Sequence, residues 1–217
     1  MPRATLKPLL ARSDPGTPGF QLRVALLEVE PQVWRRIEVS AAATFWDVHV
    51  AINDAMGWND SHTHEFEVAH PSTREPARIG IPDPDWEDDG AVLPGWGVPV
   101  AEFLRHTGTV FLYRYDLGDG WEHEVLFEAI VPRPPRGGVK SFPRITGGER
   151  ACPPDDCGGP FGYAELVAAL RDPSHAEHRA MRRWAPRGFD PERFSVSKVR
   201  FDDADARLAQ LLRSMER

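Results

Sequence analysis

The chain is short of lysine and cysteine and has no long apolar run. Lysine occurs only at Lys7, Lys140 and Lys198, so arginine carries nearly all of the positive charge. With abundant alanine, glycine and proline, that bias points to a GC-rich genome rather than to a function. No apolar stretch approaches the roughly 20 residues of a bilayer-spanning helix, so a membrane partner is not expected. Arg3, Lys7 and Arg12 stand near the N-terminus, but four prolines (Pro2, Pro8, Pro15, Pro18) interrupt them and no apolar segment follows. Residues 1–18 therefore read as a flexible tail rather than a signal peptide, leaving one domain over residues 19–217. Two cysteines in 217 residues do not make a disulfide scaffold, so reduced thiols in a cytoplasmic protein are expected.

A basic balance is also missing. The net charge is −7, whereas nucleic-acid binders draw much of their affinity from neutralising phosphates. Protein or small-molecule partners are favoured on that ground. Two arginine-rich segments keep a nucleic-acid contact open: Arg133, Arg136, Lys140, Arg144 and Arg150 within residues 132–150, and Arg179, Arg182, Arg183 and Arg187 on a helix-like run. There is no Gly-x-Ser-x-Gly elbow, no phosphate loop ending in Gly-Lys-Ser/Thr, no dinucleotide fingerprint, no long heptad run and no internal repeat.

What is present predicts an α+β fold, a largely antiparallel sheet built from hairpins with helices packed around it. Residues 20–30 read as a strand in which Leu22, Val24 and Leu26 alternate, with a slip at Leu27 and Val29 that hints at a bulge. Beyond Pro31, the alternation of Val33, Arg35, Ile37 and Val39 predicts a hairpin partner. Thr44 and Asp47 resemble a capping box, Gly57 a helix stop, and Phe45, Val48, Ile52, Ala55 and Met56 follow a 3.6-residue period between them. Residues 64–70 suit a short strand and 99–106 a short helix. Residues 71–98 read as a loop. Its acidic run at 83–90 fails as a calcium loop, because Asp88 stands where a glycine is needed and Pro94 where the bidentate Glu is needed. Strands are predicted at 109–116 and 121–131, and helices at 161–171, 175–185 (capped by Ser174 and Glu177) and 203–215.

The densest run of chemistry-capable residues lies between 113 and 163. A two-residue turn at Gly118-Asp119 would pair Asp116 with Trp121, Arg114 with His123 and Leu112 with Val125. Arg114, Asp116 and His123 would then share a face with apolar residues, as a buried network or a site. Tyr113 and Tyr115 would lie on the opposite, exposed face. In the segment 151–163, Pro153 and Pro154 remove backbone donors, Gly158 and Gly159 admit positive φ, and Asp155 and Asp156 can accept turn hydrogen bonds, so a rigid loop before a helix is expected. Cys152 and Cys157 are spaced more widely than a zinc knuckle. A divalent metal would need His123, or His62 and His64, to complete its ligands.

Four segments together resemble the plasmid pRiA4b open-reading-frame-three-like proteins of bacteria and archaea. They are Pro31-Gln32-Val33-Trp34-Arg35-Arg36; Met56-Gly57-Trp58 with His62-Thr63-His64-Glu65-Phe66; the run Tyr115 to His123; and the run Cys152 to Tyr163. They cover about residues 20–200. Thr63 and Asp155 stand where the family tends to have Leu and Glu. The resemblance implies a compact α+β domain without an established activity. Some relatives accompany transposons and carry a resolvase label, but no recombinase signature stands in this chain, so a mobile-element link is context rather than mechanism.

The first expectation is a binding or accessory domain with a groove beside the hairpin and the Cys-Pro-Pro loop. Its candidate residues are Trp58, Tyr113, Tyr115, Asp116, Asp119, Trp121, His123, Asp155, Asp156 and Tyr163. The alternative is a metal-dependent hydrolase or nuclease with His123 as ligand or base beside Asp116, Asp119, Asp155 or Asp156.

Overall fold

The computed structural model describes residues 17–82, 92–133 and 142–215. Residues 1–16 of the expected tail, the acidic run at 83–90 and residues 134–141, with Arg136 and Lys140 of the basic segment, lie outside the described residues.

An eight-stranded sheet forms the centre of the molecule. Its spatial order is β5 (Leu93–Pro94), β4 (Pro76–Gly80), β3 (His64–Ala69), β6 (Val110–Tyr115), β7 (Trp121–Val131), β1 (Gly19–Leu26), β2 (Trp34–Ser40) and β8 (Arg144–Glu149). Every pairing is antiparallel except the short β4–β5 pair. The fold is therefore α+β, as the sequence predicts. The alternation read from β1 and β2 holds: Leu22, Val24, Leu26, Arg35, Ile37 and Val39 are all buried. The bulge is elsewhere, between Gln21 and Leu22 where β1 meets β7. The slip at Leu27 instead marks the end of the strand, where the Leu27 amide donates to Glu122 O at 2.8 Å.

Helix α1 (Phe45–Met56) starts and stops where its caps place it. Thr44 and Asp47 exchange the two bonds of a capping box, and Gly57 closes the helix at φ +96°. It is buried on more than its sheet-facing stripe, because α4 (Ala204–Met215) covers its other side. Trp46 and Val50 pack on Leu208, and the Trp46 indole N–H donates to Ala204 O at 2.8 Å.

Two stretches that read as loops contribute strands. Residues 71–98 supply β4 and β5, and residues 132–150 supply β8. Glycine hides β8 from a propensity reading. A Cβ on Gly148 would stand 2.5 Å from the Phe194 ring and 2.9 Å from Trp34 O, so glycine is what lets Phe194 close over this edge.

Helix α2 (Gly159–Arg171) packs against α3 (His178–Trp184). The capping box expected at Ser174 and Glu177 does not form. The Asp172 carboxylate captures Ser174 through both its amide and its hydroxyl (2.8 and 2.7 Å), so the helix begins later, at His178.

The two sheet faces differ sharply in chemistry. One carries Phe66, Phe111, Tyr113, Tyr115, Trp121, Val125 and Phe127 into the core. The other carries a charged ladder in which Arg114 meets Glu122 (2.9 Å), Glu67 (3.0 Å) and Glu65 (3.3 Å). The pairs with Glu67 and Glu122, whose side chains are well exposed, contribute at most about 1 kcal/mol each, so the inward aromatic face carries most of the stabilising burial.

Candidate functional site

The β6–β7 turn spans five residues rather than two. Tyr115 pairs with Trp121, Arg114 with Glu122 and Tyr113 with His123. The cause is Asp116, which sits in the left-handed region at φ +54°. Its Oδ1 accepts from the amides of Gly118 (3.1 Å) and Asp119 (3.2 Å), while its carbonyl accepts from Gly120 N at 2.7 Å. A one-residue change in register moves every side chain to the other face. Three expectations are corrected together. The Arg114–Asp116–His123 cluster does not form, because Arg114 lies on the charged face. Tyr113 and Tyr115 are buried, not exposed. Trp58 and Trp121 join them in the core.

His123 is wholly enclosed. Its Nδ1 lies 3.2 Å from Tyr113 O, and Trp58 packs edge-on against its ring. Burial pushes its pKa down to about 3, and nearby Arg35 adds to the shift in the same direction. It is a neutral core imidazole with no path to a substrate. His64 is equally enclosed, stacked on His49 at 3.4 Å between ring centroids. Burial holds its pKa well below the usual imidazole value. His49 places its Nδ1 2.9 Å from the Tyr113 hydroxyl and its Nε2 2.9 Å from Asp60 Oδ1. The sequence reading missed His49, although its spacing one turn beyond Phe45 sets it on the apolar stripe of α1.

The cysteine segment forms the rigid loop that its prolines and glycines predict, and the hairpin turn docks against it. The Asp119 carboxylate accepts from Gly158 N at 3.1 Å, and Trp58 donates its indole N–H to Pro153 O at 3.0 Å. Gly158 and Gly159 lie at φ +88° and +67°, and a Cβ on Gly159 would stand 2.3 Å from Asp119 O. The backbones of hairpin and loop thus touch where only glycine fits. Cys152 and Cys157 are both free thiols. Burial pushes the Cys157 pKa to about 12 and the Cys152 pKa higher still, so neither is an activated nucleophile. Tyr163 is buried beside Cys152, and burial raises its phenol pKa to about 12.

Of the predicted metal-ligating residues, the structure brings His62, and not His64, His123, Cys152 or Cys157, to a ligating group. Among the described residues, the three-residue group of His, Cys, Asp or Glu with ligand atoms mutually within 4.8 Å is His62, Asp116 and Asp156. His62 Nε2 lies 3.3 Å from Asp156 Oδ1 and 3.6 Å from Asp116 Oδ2. Asp155 lies near His62 but is not part of the trio, and it accepts weakly from Asn59 N at 3.4 Å. Burial raises its pKa, against the Asn59 hydrogen bond and nearby His62, which lower it.

Behind this trio opens a cleft of about 710 Å³ that the sequence reading did not locate. Its walls are the C-terminal end of α1, the loop 151–156 and the segment 184–200. Trp184, Phe189 and Phe194 supply aromatic surface, and Lys198, Arg200, Asp155 and Asp156 add charges of both signs to the lining. The available cue was the interleaving of aromatic and cationic residues along Trp184 to Arg200. Of the arginine-rich segments, Arg179, Arg182, Arg183 and Arg187 are exposed around α3, whereas Arg144 pairs with Glu38 and Arg150 with Glu192.

The comparisons agree with this architecture. The sequence profile of the plasmid pRiA4b ORF-3-like proteins matches residues 18–198. The chain belongs to that family. A relative, the uncharacterized protein y4hQ of Sinorhizobium fredii, is 35% identical over 165 residues, spanning 76% of this chain and 79% of that protein. The crystal structure of MM3350 from Methanosarcina mazei, a protein of unknown function, is similar with a TM-score of 0.75 and 36% identity, covering 85% of this chain and 99% of the other. The pRiA4b match ends at residue 198, before α4 begins at Ala204. Among the described residues no helix is long and apolar enough to cross a membrane.

Proposed function

We propose that the chain is a binding domain that takes a small ligand or short peptide segment in the cleft between the end of α1, the Cys-Pro-Pro-Asp-Asp loop and residues 184–200. The observation that carries this reading is the cleft itself: aromatic, cationic and acidic lining residues, and a volume in the range of small-molecule sites. Enclosure of His123, and thiols pushed upward by burial, favour binding over nucleophilic or His123-based hydrolytic chemistry. The exposed α3 arginines adjoin the cleft at Trp184 and favour a partner with anionic groups.

Tryptophan emission and thermal shift against a panel of small carboxylates, phosphates and short acidic peptides test the reading. At least one class is expected to perturb emission, with affinity reduced tenfold or more by Trp184→Ala or Lys198→Ala at unchanged far-ultraviolet circular dichroism. A silent panel, or binding that ignores both substitutions, would contradict it.

A further inference from the structure

His62, Asp116 and Asp156 converge beside the cleft, which Asp156 alone of the three lines. His62 Nε2 is shielded from solvent and makes no hydrogen bond, although it faces two carboxylates at 3.3 and 3.6 Å. Hydrogen bonds between charged N–H and carboxylate contract to about 2.7–2.9 Å. The observed separations are longer than that, yet they fall on another length. Ligands at the 2.0–2.2 Å of zinc–nitrogen and zinc–carboxylate bonds lie about 3.3–3.6 Å apart across the edge of a tetrahedron. Octahedral magnesium at 2.0–2.1 Å would require edges of about 2.8–3.0 Å.

The scaffold under the trio is built independently of it. The Asp116 side chain is about nine-tenths buried, and its Oδ1 is fixed by two turn amides, so its Oδ2 is aimed at His62. Asp156 reaches the same point from the other loop, and the Asp119–Gly158 bond locks the two loops together. The Asp156 side chain, 74% exposed, gives an ion its approach, while His62 Nε2 itself is covered.

We infer that His62 Nε2, Asp116 Oδ2 and Asp156 Oδ1 form a three-ligand site for a tetrahedral divalent ion of the zinc class, with Asp156 also lining the cleft. One imidazole and two carboxylates match the ligand chemistry of zinc and cobalt(II). Three protein ligands leave the fourth position to water or to an anionic group of a cleft occupant. The site stands whether or not the cleft binds a ligand.

The experiment uses the full chain without a histidine tag, treated with chelator and dialysed. Zinc and cobalt(II) are titrated calorimetrically, and cobalt(II) also by its visible absorption. One equivalent is expected to bind, with the intense absorption of tetrahedral cobalt. His62→Asn and Asp156→Asn, both in surface loops, are each expected to weaken binding at least tenfold. Absence of stoichiometric binding, an octahedral cobalt spectrum, or affinity unchanged in both variants would overturn the assignment. Cys152→Ser serves as a further control and is expected to leave the affinity unchanged.

Discussion

Replacing Arg35 with leucine is expected to lower folding stability by about 3–5 kcal/mol. Arg35 is 1% exposed, yet it stands on the inward face of β2 among Ile37 and Val39. Its Nε donates to Ala55 O at 2.8 Å in the last turn of α1, and its Nη1 donates to Trp34 O (2.8 Å) and Glu149 O (2.9 Å). One guanidinium thus ties a helix C-terminus, a central strand and an edge strand. Phe194 lies over it, 3.8 Å from ring centroid to the guanidinium carbon. Burial lowers its pKa to about 10, which leaves it charged at neutral pH. Leucine would leave those carbonyls without their donors and the Phe194 stack without its cation. Lysine would restore the charge but not the planar fork, so Arg35→Lys is expected to recover only part of the loss. Arg36→Ala is the control: that side chain pairs with Glu128 at 2.6 Å on the exposed face, and its loss is expected to cost about 1 kcal/mol or less. Urea unfolding of the three variants measures the difference. An Arg35→Leu cost no larger than that of Arg36→Ala would contradict the assignment.

Stability is expected to fall steeply in acid. His64 and His123 are held neutral by burial, His123 down to about 3 and His64 well below its usual value. The unfolded chain protonates both near pH 6.5, while the folded chain cannot. Between about pH 6.5 and 3 the unfolded state therefore binds more protons, and stability decreases as pH falls. Each such histidine contributes a slope of about 1.4 kcal/mol per pH unit, so two approach about 3 kcal/mol per unit. Asp54 and Asp155, raised by burial, act in the opposite direction at the acid end and soften the fall there. His123→Leu is expected to be less stable at pH 7 but to show a pH slope flatter by about 1.4 kcal/mol per unit. Urea midpoints from pH 7 to 4.5 read this directly. An unchanged slope would mean that His123 reaches solvent.

Much of the fold is legible in the sequence where local signals act alone. The Thr44–Asp47 box, Gly57 and the alternation along β2 needed no tertiary information. The hairpin was misread because its turn type depends on one side chain capturing two amides. Gly118-Asp119 looks like a two-residue turn, and only the left-handed Asp116 makes it five. That single residue decides which tyrosines are core and which arginine is surface. β8 was missed because its glycines answer to Phe194, which arrives from 46 residues away along the chain. The candidate site was legible as two segments but not as their contact. His62, Asp116 and Asp156 were each visible; that they meet follows from the Asp119–Gly158 link, a tertiary fact. His123, the most site-like residue by sequence, is the one that the fold withdraws.

The proposed metal chemistry lies in His62, Asp116 and Asp156 and not in the enclosed histidines. Ring nitrogen signals of ¹⁵N-histidine-labelled protein during a zinc titration test it most directly. The account predicts that His62 Nε2 shifts with one equivalent while His64 and His123 stay fixed. A first response at His123 or His64, with His62 unmoved, would contradict it.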